Sequence, residues 1–470
     1  MLLYNSLSRT KETFRTAELG KVKMYTCGPT VYHFAHIGNL RTYIMEDVLE
    51  KHLSASGYDV LRIMNITDVG HLTSDGDTGD DKMLKGAKRE HKTVMEIAKF
   101  YTDAFFADCA KLNIKTPEIV QPATGCIDDF IQAVSKLLEK GYAYEAGGNV
   151  YFDTSKLDQY YRFHDFKEED LEVGVREGVE GDSNKRNKAD FVLWFTKSKF
   201  DDQELKWESP WGLGYPGWHI ECSCISMKYA GEYLDLHCGG IDNVFPHHTN
   251  EIAQSEALLG HAWCPHWFHV LHLNTSSGKM SKSKGEFLTV SILEEKGYDP
   301  MAYRFFCLQS HYRKSLVFTW ENLDNAQSAY KKMIAKIRPL LADQSAPDAA
   351  QKDALLAPFR EAMDNDLNTA LAITALYDVF KADASAATKC AAIAEMDKEL
   401  SLNLLEAAKA ADSEQSAEQE IPAEILELVE QRKEARKAKD FAKADALRDQ
   451  IAALGWEIRE TRAGTEITKK

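Results

Sequence analysis

The chain is poor in the features that would take it out of the cell or into a membrane. Its nine cysteines are scattered and odd in number, with no Cys-x-x-Cys pair. That argues against a disulfide framework and fits a reducing compartment. No apolar run is long enough to cross a bilayer. The opening residues Met1-Leu2-Leu3-Tyr4-Asn5-Ser6 lack the basic region and apolar core of a secretory signal. We therefore expect a cytoplasmic protein with no membrane partner. Surplus positive charge is missing too. The formal net charge is -16, so any nucleic-acid contact must rest on local basic patches. There is no internal repeat and no His-Glu-x-x-His sequence, which counts against a zinc hydrolase. Gly70 to Asp81 is acidic and Gly-spaced but lacks the terminal Glu of a calcium loop, so it reads as a plain loop.

What is present is enough for about three domains, with 44% hydrophobic residues to fill their cores. The stretch from Met24 to Arg41 organises the rest. Val22, Met24 and Tyr25 read as a strand, Gly28-Pro29 turns the chain, and apolar spacing from Leu40 through Ile44, Val48 and Leu49 reads as a helix. Cys27 then ends a strand and His36-Ile37-Gly38-Asn39 starts a helix. Such a corner is where open parallel sheets bind ligands. The helix start suits a phosphate. Gly38 lets the backbone come close, and His36 and Asn39 can donate hydrogen bonds.

Strand and helix patterns alternate over residues 1–115. Asp59 to Asp68 is a short strand that would project Thr67 and Asp68 at its C-terminal end. Residues 116–208 read as an insertion with a helix at Ile127 to Glu139, a hairpin from Tyr142 to Phe152, and a buried piece at Ala189 to Trp194. Residues 209–319 resume the first pattern. Gly217-Trp218-His219-Ile220-Glu221-Cys222 precedes a helix. Tyr233 to His237 reads as a strand running into Cys238-Gly239-Gly240-Ile241-Asp242, and Phe245 to Glu251 opens another helix. Residues 320–410 are all-helical, with helices at Trp320 to Ile337, Pro358 to Phe380 and Ala387 to Ala408. Residues 411–421 are polar and acidic and read as a linker. The final piece, 422–470, is basic. From Gln431 on it holds eleven Lys or Arg against seven Asp or Glu, a local +4, which favours an RNA contact over a merely solvated face. The fold class is α/β: a Rossmann-like parallel-sheet catalytic domain with an insertion, then an α-helical bundle and a small C-terminal domain.

Cys27, Cys222, His247 and Glu251 are candidate metal ligands. Thiolate, imidazole and carboxylate together suit zinc. His247 and Glu251, four apart, share one helix face. Cys224, Cys238 and His248 have equal chemical merit, and spacing does not choose among them.

His36-Ile37-Gly38-Asn39 and Lys279-Met280-Ser281-Lys282-Ser283 resemble the HIGH and KMSKS motifs of class I aminoacyl-tRNA synthetases, with Asn where the first motif ends in His. Cys27-Gly28-Pro29-Thr30, Asn65-Ile66-Thr67-Asp68, Trp218 to Cys222, Gly239 to Asp242, Phe245 to Glu251 and the tail from Ala435 to Asp449 extend the likeness. The chain resembles the cysteinyl-tRNA synthetases from end to end. That resemblance implies one zinc per chain on Cys27, Cys222, His247 and Glu251, and magnesium with ATP. It implies phosphate contacts from His36 and Asn39 beside Gly38, and a cationic loop carrying Lys279 and Lys282. It further implies ribose contacts at Gly240 and Asp242, an amino-acid pocket including Gly28, Thr30, Thr67 and Trp218, and tRNA(Cys), ATP and L-cysteine as partners of a monomer. Transfer would go to the 2′-hydroxyl of the terminal adenosine. Zinc would separate cysteine from serine, which shape alone does poorly. Many relatives run directly from Thr-Asp to Asp-Asp-Lys, whereas here the 70–79 loop intervenes. A family joining cysteine to an aminosugar, a zinc hydrolase and a non-catalytic RNA-binding protein are the rival readings. The full tail disfavours the first, and Lys279 to Ser283 disfavours the others.

Overall fold

The computed structural model describes residues 1–69, 93–163, 182–197, 205–275, 278–279, 287–419, 423–438, 440–461 and 464–469. Its centre is a five-stranded parallel sheet. In spatial order the strands are His266–Val270, Leu236–Gly240, Lys21–Thr26, Asp59–Ile66 and Ile119–Pro122. Chain order therefore reverses beside Lys21–Thr26. The crevice at the C-terminal ends of Lys21–Thr26 and Leu236–Gly240 is the switch point where such sheets bind ligands.

Side-chain alternation sends successive residues to opposite faces, and each face has its own core. Met24, Met64 and Phe268 join a core with the helix Ile37–Ala55 and the helices after residue 300. Tyr25, Ile63 and Trp267 join one with the helices Ile127–Glu139, Trp218–Ala230 and Thr249–Leu259. Each fully buried Leu or Phe here contributes about 1.5–3 kcal/mol. The helix Ile37–Ala55 is also anchored by charge. Its Arg41 donates to the carbonyls of Leu271, His272 and Lys314 at 2.6, 2.7 and 2.7 Å. Its Asp47 accepts from Arg304 at 2.7 Å with both side chains fully buried.

The insertion begins later than expected. Ile119–Pro122 is the outer strand of the central sheet, paired with Ile63 to Ile66. Only Ile119 and Val120 give it apolar signal between charged and proline-containing flanks, so its strand character is weak in sequence. The expected helix Ile127–Glu139 is present. The expected hairpin forms as Ala143–Ala146 and Asn149–Phe152, and it continues through Phe191–Phe195 to Tyr215–Pro216 as a four-stranded antiparallel sheet. That sheet runs past the expected limit at 208.

Three other elements differ from expectation. The strand expected at Tyr233 to His237 is Leu236–Gly240, because its two glycines carry no side-chain signal. Trp218 is the first residue of its helix rather than part of a preceding loop. Thr249–Leu259 is preceded by an irregular turn at Val244–His248.

The bundle has five helices where three were expected: Trp320–Ile337, Ala349–Asp364, Thr369–Val379, Ala386–Leu400 and Leu404–Gln419. The second starts before Pro358, capped by Asp348, whose Oδ1 accepts from Gln351 N at 2.8 Å. It is parted from the third at Asp366 and Leu367, which adopt φ of 67° and 50°. The expected linker 411–421 is helical through Gln419, in keeping with its Ala, Glu and Gln content. The tail folds as Ala423–Lys437, Phe441–Ala453 and a hairpin of Trp456–Thr461 with Gly464–Lys469 around Ile425, Ile451 and Trp456.

Candidate active site and metal centre

A cavity of about 340 Å³ opens at the switch point. Cys27 follows the strand Lys21–Thr26 directly, and its carbonyl accepts from Tyr43 Oη at 3.2 Å. Gly28 has no room for a side chain, since a Cβ there would sit 1.6 Å from the Asn65 carbonyl oxygen. Its N–H donates to Asn65 Oδ1 at 2.7 Å. Asn65 Nδ2 donates to Thr67 Oγ1 at 3.0 Å, and that hydroxyl donates to Glu221 Oε2 at 2.9 Å. Thr30 and Thr67 form a parallel bridge, so the loops after the two strands are zipped together. Cys27, Gly28, Thr30, Thr67, Trp218, Cys222 and His247 all line the cavity, as do His36, Gly38, Asn39, Gly240 and Asp242.

Cys27, Cys222, His247 and Glu251 meet beside this cavity, with their ligand atoms all within 4.8 Å of one another. The two sulfurs lie 4.0 Å apart. His247 Nε2 is 3.4 Å from Cys222 Sγ and 3.1 Å from Glu251 Oε1. Trp218 lies against the His247 ring, centroids 4.5 Å apart. A second set, Cys27, His237, His248 and Glu251, meets the same criterion. Cys224 and Cys238 belong to neither group.

The electrostatics of the first set favour a positive ion. Burial alone would strip His247 of its proton, but the facing Cys222 and Glu251 outweigh burial and raise it to about 10. Burial likewise opposes ionisation of Glu251, yet His237 and His247 hold it down at about 2. Burial and Cys222 push the Cys27 thiol well up. Cys222 itself is lowered against burial by the Cys27 hydrogen bond and by His247. Two thiols, an imidazole and a carboxylate packed this closely are chemically suited to a metal ion.

At the start of the helix Ile37–Ala55, His36 and Asn39 cap each other. Asn39 N donates to His36 Nδ1 at 3.1 Å and His36 N donates to Asn39 Oδ1 at 3.3 Å. This capping box uses the acceptor atom of each side chain. It assigns the ring proton of neutral His36 to Nε2. Ile37 N donates to the Leu288 carbonyl at 2.9 Å, tying the helix start to the chain just after the lysine motif. Asp242 Oδ1 lies 3.2 Å from His272 Nε2. Lys279 sits in a two-residue strand, Gly278–Lys279, paired with Asn274 and Thr275. Lys282 and the 70–79 loop lie outside the described residues.

Residues 13–328 match the tRNA synthetases class I (C) catalytic domain, residues 358–418 the DALR domain, and residues 418–467 the Cysteinyl-tRNA ligase anticodon binding domain. The chain belongs to the cysteine–tRNA ligases, class I aminoacyl-tRNA synthetases. It is 44% identical over 490 residues to the cysteine–tRNA ligase of Treponema denticola, spanning 100% of this chain and 99% of the relative. That of Borrelia hermsii is 40% identical over 480 residues, spanning 99% of each. Methionyl-tRNA synthetase of Mycobacterium tuberculosis, solved with methionyl-adenylate, shares the fold with a TM-score of 0.53 at 15% identity, over 83% of this chain and 90% of that one. A leucyl-tRNA synthetase of Agrobacterium radiobacter, solved in a ternary complex, gives 0.55 at 11%, over 84% and 85%.

In this cysteine–tRNA ligase His248 was a rival ligand from sequence, but His219, His237 and His269 were not legible as part of the site. His219 Nδ1 lies 2.9 Å from His247 Nδ1, His237 Nε2 lies 2.8 Å from Glu251 Oε2, and His248 bridges Cys27 Sγ at 3.3 Å to His269 Nε2 at 2.7 Å. The signal was an excess of buried imidazole on strands: His237 and His269 both occupy core positions in parallel strands. Among the described residues no helix is long and apolar enough to cross a membrane.

Proposed function

We propose that this cysteine–tRNA ligase activates L-cysteine with ATP and passes it to tRNA(Cys), acting as a cytoplasmic monomer. The observation that carries the reading is the cluster of half-buried Cys27 with buried Cys222, His247 and Glu251 at the edge of the switch-point cavity. Its donor types are those zinc takes, and its field already calls for positive charge. When bound, zinc would favour the substrate thiolate and disfavour the serine hydroxyl, which resists deprotonation.

The chain's own residues then hold the rest of the substrate. Gly28, Thr30, Thr67 and Trp218 form the amino-acid pocket, with Gly28 barred from carrying a side chain by Asn65. His36 and Asn39 donate to the ATP phosphates, and Gly38 admits the backbone to close range. Gly240 and Asp242 hold the ribose. Lys279 and Lys282 offset the negative charge that grows on the leaving pyrophosphate, beside the magnesium that accompanies ATP. The cysteine carboxylate attacks the α-phosphorus and pyrophosphate leaves. A ribose hydroxyl of the terminal adenosine then attacks the carbonyl carbon and AMP leaves. Positioning and charge stabilisation suffice, with no covalent enzyme intermediate.

Labour is divided along the chain in this reading. The sheet and its insertion form the adenylate, and the bundle and basic tail grip the tRNA. Cysteine-dependent exchange of pyrophosphate into ATP tests the first step, and acceptance of tRNA rather than an aminosugar tests the second. Exchange with serine as readily as with cysteine, or no loss of metal in Cys222→Ala by elemental analysis, would sink the reading.

A further inference from the structure

The rim of the cavity carries exposed aromatic surface that adenylate formation does not use. Phe34 and Phe100 are 37% and 42% exposed. The two phenylalanines meet edge to face at 5.9 Å, and Phe34 also meets Tyr101 at 5.0 Å. Tyr101 stacks on His33 with ring planes 7° apart. His33, Phe34 and Tyr101 line the cavity itself, so the exposed rings continue its wall outward. The helix Val94–Lys111 supplies Phe100 and Tyr101, and its start is fixed by a Thr93–Glu96 capping box. Phe100 and Tyr101 are therefore held by regular structure, and Phe34 reaches them from the irregular stretch just before Ile37.

We infer that this rim is a stacking surface for the single-stranded 3′ end of the tRNA. The inference rests on the proposed function of the cavity. If the terminal ribose must reach an adenylate there, the unpaired nucleotides leading to it must cross the rim. Unpaired bases stack on aromatic rings whatever their identity. Continuity of the rings with the cavity wall, together with the planar apolar chemistry of the pair, selects this occupant over a protein partner.

The test compares the full chain with Phe34→Leu/Phe100→Leu, which keeps apolar contact but removes the rings. Binding is measured to intact tRNA(Cys) and to the same tRNA lacking its last three nucleotides. The double variant should bind intact tRNA about tenfold more weakly and truncated tRNA as tightly as the parent does. Equal affinity for intact tRNA overturns the proposal. So does an equal loss with both RNAs, which would mark a folding defect or a rim covered by the chain itself. Wild-type pyrophosphate exchange run in parallel separates the two readings. Cysteine-dependent exchange without the length-dependent loss overturns the rim alone. The loss without exchange keeps the rim as an RNA contact and overturns the proposed function.

Discussion

His237 Nε2 lies 2.8 Å from Glu251 Oε2, and both side chains are fully buried. The His237 ring is itself stacked on Trp267 at 4.5 Å with planes 14° apart. A rigid strand thus aims an imidazole at the carboxylate, whose other oxygen faces His247 at 3.1 Å. His237→Phe should keep the stack and lose the hydrogen bond. Metal affinity should fall about 10–100-fold, the usual cost of removing a partner that orients a ligand. Competition against a chelator of known affinity measures it. Unchanged affinity would mean that His247 alone orients Glu251.

Lys282→Ala should slow adenylate formation far more than it weakens cysteine binding. In the proposed mechanism the lysine acts as charge develops on the phosphates, so its loss should raise the barrier by about 3–4 kcal/mol. Stopped-flow measurement of cysteinyl-adenylate formation reads this directly. A raised KM for cysteine with an unchanged rate would contradict the role.

Glu46 gives the fold a pH dependence. Among the described residues neither of its carboxylate oxygens has a hydrogen-bond partner. Burial raises it from 4.5 to about 8, only partly opposed by Arg62. The folded chain therefore keeps a proton that the unfolded chain releases between about pH 4.5 and 8. Stability from this group falls as pH rises through that window, by at most about 5 kcal/mol. Glu46→Gln removes the titration, so its thermal midpoint should gain on the parent between pH 5 and 8 and level off above. A constant difference across that range would show that Glu46 does not titrate in this window.

Replacing Arg432, Lys433, Arg436 and Lys437 with Ala tests the tail. All four lie on the helix Ala423–Lys437. Pyrophosphate exchange should persist, because the adenylation motifs lie before residue 285 in the chain. Affinity for tRNA should drop, and its dependence on salt should become shallower as phosphate contacts are lost. An unchanged salt slope would reduce these charges to a solvated face.

Periodic elements were the most legible from sequence. Ile127–Glu139 and Trp320–Ile337 have the expected bounds because their apolar stripes and flanking signals agree. Short or glycine-bearing strands were not. Ile119–Pro122 carries two apolar side chains, and Gly239 and Gly240 carry none. The hairpin from Trp456 to Lys469 was missed because charges alternate with its few apolar positions. At the site, His36, Gly38, Asn39, Thr67, Trp218, Gly240 and Asp242 line one cavity. His237 and His269 were hidden because they come from separate strands whose meeting with the site depends on sheet order.

That sheet order sets a schedule for making the protein. Cys27 precedes Cys222 by 195 residues and Glu251 by 224. At about 5–20 residues per second, a growing chain spends roughly 10–45 s with the first thiol made and the carboxylate still to come. No earlier fragment contains the full donor set. A metal ion held by all four groups therefore marks a nascent chain whose two half-sheets have already met.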